Sequence, residues 1–335
     1  MFLTNLVTRR VLITGATGFL GTHLGECLTN HGCLEVLATS SSEYDLRDGR
    51  QIRTMLAEKE PEVVIHLAGV GGGIQANLHA PGRFFYENAV MGIQLMEECR
   101  RMGVRKFIGI GSVASYPKFS PVPFQEKAIW NGYPDETTAP HGLAKKILLV
   151  QAQAYRQQYG FPAITLLPVN LYGPHDNFAP QTSRVIPALI RKFIEAREAG
   201  REFVELWGTG GATREFLFVK DAAEAIALAA DQYNAAEPLN LGSGREISIC
   251  ALAKMIRNMC GFPGEIRWDR SRPNGQPRRC VDTTRAAREI GFVARTDLED
   301  GLTRTIQWYE RQRSLCGELQ RLPSALVKSI ASEQV

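Results

Sequence analysis

Short apolar runs recur through the first half of the chain, each followed by a stretch with helical spacing of its apolar positions. Val11–Thr14, Glu35–Thr39, Glu62–Ala68, Lys106–Gly109 and Ala163–Leu167 read as strands. Leu20–Leu28, Gly49–Ala57, Arg83–Met102 and His141–Tyr159 read as the helices between them, the last two closed by Gly103 and Gly160. Strand–helix alternation of this kind predicts an α/β protein with a parallel sheet covered on both faces. The second half is less regular. Helices are expected at Val185–Arg197, Asp221–Asp231, Ile249–Met259 and Leu298–Arg311, with a strand at Phe203–Trp207. No internal repeat is visible. Trp268–Arg279 is polar, basic and rich in Pro and Gly, and reads as a substrate-contacting loop or a plain surface loop. From about Ser314 to Val335 the patterning is weak, so partial disorder is expected there.

The first strand–helix junction carries chemistry. It reads Val-Leu-Ile-Thr-Gly-Ala-Thr-Gly-Phe-Leu-Gly over residues 11–21, with Gly15, Gly18 and Gly21 at three-residue spacing. Glycines let a backbone approach a pyrophosphate closely, and the helix start offers it free N–H groups and partial positive charge. A tight turn without ligand is the bland alternative. The strand before and the helix after favour a Rossmann-type, doubly wound parallel sheet that binds a dinucleotide.

Composition narrows the function class. The chain has 335 residues, 44% of them hydrophobic, with a formal net charge of +4. That charge is mild, and no aromatic-plus-basic repeat accompanies it, so no nucleic-acid partner is expected. The excess fits an anionic small molecule. Seven cysteines, an odd number with no Cys-x-x-Cys pair, suggest reduced thiols in a cytoplasmic protein and no metal site. Met1–Arg10 has no long apolar core, so no signal peptide is expected. No run of about 18 apolar residues occurs, so no membrane span is expected either.

Thr14–Gly21, His66-Leu67-Ala68-Gly69, Ser112 and Lys145 together resemble the extended short-chain dehydrogenase/reductases, the NAD-dependent epimerase/dehydratase family. Within it, the chain is most similar to the GDP-L-fucose synthase group (GDP-4-keto-6-deoxymannose epimerase/reductases). The similar stretches are Val70–Ile74, Asn170–Phe178, Val185–Phe193, Trp207–Gly210, Arg214–Leu217 and Trp268-Asp269 with Pro273–Gly275. The resemblance implies a dinucleotide domain over residues 8–175, also taking in about 214–242. It implies a smaller C-terminal α/β substrate-binding domain from 176–213 and 243–312, and a tail at 313–335. It places Gly15, Thr17, Gly18, Phe19, Leu20, Gly21, Ser40, Ser41, Asp45, Leu46, Leu67, Ala68, Gly69, Lys145 and Pro168 on the cofactor. It places Asn170, Arg184, Val185, Lys192, Trp207, Arg214 and Arg272, with Arg279, on the nucleotide sugar. A homodimer through Arg83–Met102 and His141–Tyr159 is expected on the same ground.

The departures bear on mechanism. Where relatives carry Tyr-x-x-x-Lys, residues 141–145 read His-Gly-Leu-Ala-Lys. Ala114 stands at the cysteine, and Arg184 at the histidine, that relatives use as the epimerisation pair. Ser112, His141 and Lys145 remain as the candidate catalytic set. His141 is an altered acid/base, a mark of lost activity or a structural helix-start residue. Ser115, Tyr116 and Tyr133 are further hydroxyl candidates. Arg184 does not lose its proton near neutral pH but can bind an anion. The second strand ends Thr39-Ser40-Ser41-Ser42 with no acidic residue at its end, and Arg47 is close, so NADP(H) is narrowly favoured over NAD(H). Two classes follow: a GDP-sugar oxidoreductase/epimerase with altered chemistry, either C4 reduction without epimerisation or epimerisation through a retained oxidised cofactor, or a catalytically silent binder of nucleotide sugar and dinucleotide.

Overall fold

The structure is a computed structural model that describes residues 3–321. The first half folds as β1 (Arg10–Thr14), α1 (Phe19–Asn30), β2 (Glu35–Thr39), α2 (Gly49–Lys59), β3 (Val63–His66), α3 (Ile74–His79), α4 (Pro81–Arg101), β4 (Lys106–Ile110), α5 (Ala139–Tyr159) and β5 (Ala163–Pro168). The second half adds β6 (Asn170–Tyr172), α6 (Val185–Glu198), β7 (Phe203–Trp207), β8 (Thr213–Phe218), α7 (Val219–Gln232), β9 (Leu239–Leu241), β10 (Glu246–Ser248), α8 (Ile249–Met259), β11 (Glu265–Asp269), α9 (Thr284–Ile290) and α10 (Leu298–Arg321).

Six parallel strands form the main sheet in the order β2-β1-β3-β4-β5-β9. Alternate residues of its central strands face opposite layers, as the two-residue period of a strand requires. Val11, Ile13, Val63, Ile65 and Ile108 pack with Leu24 and Leu28 of α1 and with α7. Leu12, Val64 and Phe107 pack with Met55 of α2, Leu95 of α4 and Leu148 of α5. Both faces are therefore dry, which is why these strands read as unbroken apolar runs. A separate core forms in the second half, where α6 and α8 pack Ile190, Phe193 and Ile256 against Leu206 of β7 and Phe216 of β8. Smaller sheets β10-β8-β6 and β11-β7 belong to this half.

Several expectations need correction. Beyond the expected elements the fold adds β6, β9 and β10, three-residue strands too short for a two-residue period to show, together with β8, β11 and the short helices α3 and α9. The expected loop begins only after Asp269, since Trp268 and Asp269 pair with Leu206 and Trp207 as the end of β11. α10 continues beyond Arg311 through Arg321. Arg197–Glu310 and Arg313–Glu198 ion pairs tie it to α6, so residues 314–321 are helical rather than disordered. The rest of the expected tail, 322–335, lies outside the described residues. Among the described residues no helix is long and apolar enough to cross a membrane.

Candidate functional site

Strand order reverses between β2 and β3 around β1, and a crevice opens at the carboxyl ends of those strands, where ligands of such sheets bind. Gly15 follows β1 with φ +73°, in the left-handed region. A Cβ there would meet the Ala68 backbone at 2.9 Å, and one at Gly21 would come within 2.2 Å of the Gly15 carbonyl oxygen. Only glycine permits this turn to close over the end of β3. Gly18 is the N-cap of α1 and supplies no side-chain bond, which leaves the first N–H groups of that helix free for an anion. This cradle has the space and polarity that a dinucleotide pyrophosphate needs.

The cradle opens into a cavity of about 720 Å³ that runs into the second half of the chain. Its walls bring together Gly15, Gly18, Phe19, Leu20, Gly21, Leu67, Ala68, Gly69 and Pro168 from the expected cofactor set. Ser112, His141 and Lys145 lie on the same wall, as do Asn170, Arg184, Val185, Lys192, Trp207, Arg214 and Arg279. Six expected residues do not line it: Thr17, Ser40, Ser41, Asp45, Leu46 and Arg272. Leu46 is buried in the core beside Leu12. Asp45 is held by Arg47, which binds it through Nε at 2.9 Å and a terminal nitrogen at 2.8 Å and also reaches Glu87. Arg272 pairs with Asp269 and lies 5.0 Å from the Trp207 ring centre, backing that ring.

The end of β2 differs from expectation. The chain turns after Ser40, and the Glu43 carboxylate accepts from the Ser40 N–H at 2.8 Å and its hydroxyl at 3.0 Å. Those bonds hold the Glu43 carboxyl below its usual range. An acidic group therefore does sit at the strand end; it comes from three residues downstream, where strand-end inspection does not find it.

Around the reacting centre, α5 begins at Ala139, with Pro140 in its first turn, so His141 and Lys145 stand one turn apart at its start. Gly142 lets that turn touch the Ser112–Ser115 segment: a Cβ would fall 2.3 Å from the Ala114 carbonyl oxygen. Ser115 donates to the Gly142 carbonyl at 2.8 Å and Tyr116 to Asn240 at 2.8 Å. Both hydroxyls are thus committed to structure, and Tyr133 is 62% exposed and off the cavity wall. None of the three supplies the missing phenol. Ser112 caps the following turn by accepting from the Ala114 N–H at 3.1 Å, and its hydroxyl proton remains free to donate.

His141 keeps a small part of its surface open to the cavity, but protein atoms surround the ring. Burial lowers its pKa to about 3, assisted by the Lys145 and Arg184 charges, while the neighbouring Val70 backbone pulls the other way. Its Nδ1 has no partner. The imidazole is therefore neutral near pH 7 and is not a ready proton donor. Lys145 is buried, and burial lowers its ammonium to about 8.

Three residues that the sequence reading passed over matter here. Asn88 of α4 accepts from the Val70 N–H at 3.1 Å and donates to the Val70 carbonyl at 2.8 Å, fixing the loop after β3. Its signal was a polar residue on the buried face of a helix. Asp176 lines the cavity, and burial raises its carboxyl to about 6, against the lowering effect of Arg184. Gln276 accepts from Arg279 Nε at 3.0 Å and orients it. Arg214 and Arg279 are both buried in the cavity wall, and burial lowers each, Arg279 to about 9. Neither has a carboxylate within ion-pair distance among the described residues. Two desolvated guanidiniums with no direct ion pair, balanced only at longer range by Asp135 and Glu246, form a strong site for an anion.

The profile of the NAD dependent epimerase/dehydratase family matches residues 11–242. The chain belongs to that family. Its similarity to GDP-L-fucose synthase 1 of Arabidopsis thaliana is 36% identity over 300 residues, 90% of this chain and 93% of the plant protein. A solved GDP-6-OMe-4-keto-L-xylo-heptose reductase from C. jejuni superposes with TM-score 0.85 at 28% identity, covering 91% of this chain and 99% of the other. A GDP-mannoheptose C4 reductase from Campylobacter jejuni with NADP bound superposes with TM-score 0.80 at 28% identity, over 91% and 99% of the two chains. Among epimerase/dehydratase family members, this chain thus resembles both GDP-L-fucose synthases and GDP-sugar reductases.

Proposed function

We propose that the protein is an enzyme of the GDP-L-fucose synthase type that acts on a GDP-linked 4-keto sugar with a nicotinamide cofactor, and that its chemistry is C4 reduction without the usual double epimerisation. The observation that carries this reading is the pair of buried, unpaired guanidiniums of Arg214 and Arg279 on the wall that also holds the glycine cradle. The pair suits a nucleotide diphosphate, and the cradle suits a dinucleotide pyrophosphate. Trp207 offers a ring face for the base, and Asn170 and Lys192 offer polar contacts to the sugar and phosphates. The names of the relatives supply the GDP moiety.

A bound nicotinamide supplies hydride to the sugar ketone. Ser112 donates a hydrogen bond to that ketone and orients it. As C4 gains hydride, the carbonyl electron pair moves to oxygen and that oxygen takes a proton. The Lys145 ammonium, lowered to about 8, is the group matched to give it near neutral pH. His141, neutral, can pass a proton between Lys145 and the oxygen through its two ring nitrogens, or position the sugar by hydrogen bonding. Ala114 has no exchangeable proton and Arg184 does not give one up, so the usual epimerisation pair is missing. Arg184 stabilises negative charge beside the ring. The second reading, a silent binder, draws on the same three departures at 114, 141 and 184.

For the cofactor we favour NADP(H) narrowly, on the serine hydroxyls at the end of β2, with Glu43 working against a 2′-phosphate. We assign residues 8–175 with about 214–242 to the cofactor domain and 176–213 with 243–312 to the substrate domain, in line with the separate core around Phe193. A homodimer through the outward faces of α4 and α5 is supported by exposed Tyr86, Ile93, Val150 and Tyr159. Six free cysteines among the described residues suit the cytoplasm.

Incubation with GDP-4-keto-6-deoxymannose and NADPH, followed by NMR of the product, tests the reading. A C4-reduced sugar with unchanged C3 and C5 is expected. GDP-L-fucose as product would refute the altered chemistry, and tight binding of both ligands without turnover would establish the silent binder.

A further inference from the structure

Away from the cavity, α1 and α7 bring three side chains of different donor chemistry to one point. Cys27 and His31 lie one helical turn apart at the C-terminal end of α1, and Glu224 projects from α7. The His31 Nε2 is 2.7 Å from Glu224 Oε2, and the Cys27 Sγ is 3.4 Å from the same oxygen. One donor atom from each residue lies within 4.8 Å of the other two, the one such grouping of His, Cys and carboxylate among the described residues. We propose that Cys27, His31 and Glu224 bind a divalent transition-metal ion, with zinc the ion their donor set suits best.

Sulfur, imidazole nitrogen and carboxylate oxygen are the donors that zinc accepts together. Tetrahedral bonds of roughly 2.0–2.3 Å set donor atoms roughly 3.3–3.7 Å apart. The sulfur–oxygen separation already meets that spacing. The nitrogen–oxygen separation must open by roughly half an ångström, a small rotation for side chains that are 20% and 36% exposed. Metal binding replaces the hydrogen bond that now joins the Cys27 thiol to Glu224. The thiol proton passes to solvent, a sulfur lone pair binds the ion, and thiolate with carboxylate balance its two charges. Water takes the fourth position. The ion would clamp the end of α1, the helix whose start forms the phosphate cradle, onto α7.

Cobalt(II) is the probe, titrated into the reduced full-length protein and then displaced by zinc. One equivalent should produce a thiolate-to-cobalt charge-transfer band. That band should vanish in Cys27→Ser, and cobalt affinity should fall more than about tenfold in His31→Gln and Glu224→Gln. Zinc should raise Tm in the parent protein and leave Cys27→Ser unchanged. Circular dichroism and cofactor binding report that the variants are folded. No charge-transfer band at one equivalent, or a band that survives in Cys27→Ser, would overturn the assignment.

Discussion

Replacing His141 with glutamine tests whether the imidazole in the catalytic slot is neutral, which decides whether it can be the proton donor. In the native protein burial lowers it to about 3 from 6.5. When the folded value lies below the unfolded one, the unfolded chain takes up a proton first as pH falls. Stability is then full above the unfolded pKa and is lost as pH falls from about 6.5 towards about 3. Each pH unit in that window removes about 1.4 kcal/mol. Between pH 7 and pH 5 the wild-type protein should lose about 2 kcal/mol through this group. Glutamine keeps a polar side chain of similar reach and does not titrate, so the variant escapes that loss. His66, also lowered to about 3 by burial, contributes equally to both proteins and cancels. Urea unfolding at the two pH values reads the difference. With an m-value of about 3 kcal/mol/M, the wild-type midpoint should fall by roughly 0.6 M more than that of His141→Gln. Equal losses would mean that the native site does not lower His141 below its unfolded value, and would return it to the role of acid.

Gly18→Asp should abolish dinucleotide binding, weakening it by about 3 kcal/mol or roughly 100-fold, because the new carboxylate fills and repels the phosphate position. Asp is a favoured N-cap, so α1 and Tm should survive; calorimetry showing undiminished affinity would sink the cradle assignment. Glu43→Gln should move the ratio of NADP(H) to NAD(H) affinity several-fold towards NADP(H), and an unchanged ratio would show that the carboxylate turns away from the ribose. Arg279→Met should raise KM for the nucleotide sugar by about 10- to 100-fold while unfolding stability stays level or rises, since it removes a buried, unpaired charge. Lost stability with unchanged KM would make Arg279 structural.

The main sheet was legible from one dimension because strands buried on both faces are unbroken apolar runs, and helices with one dry face repeat every 3.6 residues. The glycine cradle was legible for a similar reason: turn, cap and helix start are consecutive residues, so their spacing in sequence is their spacing in space. Ser112, His141 and Lys145 stood out by resemblance, and the structure brings them onto one wall. The rest depended on groups distant in sequence. Glu43 folds back onto Ser40 only because the chain turns there. Tyr116 is taken by Asn240, 124 positions away, so its phenol is unavailable to the site. His141 is neutral because protein atoms enclose the ring beside Lys145 and Arg184, and no periodicity reports enclosure. Arg214 and Arg279 make no direct ion pair because the nearby carboxylates of Asp135 and Glu246 stay beyond ion-pair distance, a fact about neighbours rather than about residue type. Residue types and local spacing were set by the chain itself. Protonation states, counter-ions and the sharing of hydrogen bonds arise from desolvation and through-space charge, which exist only once distant segments meet.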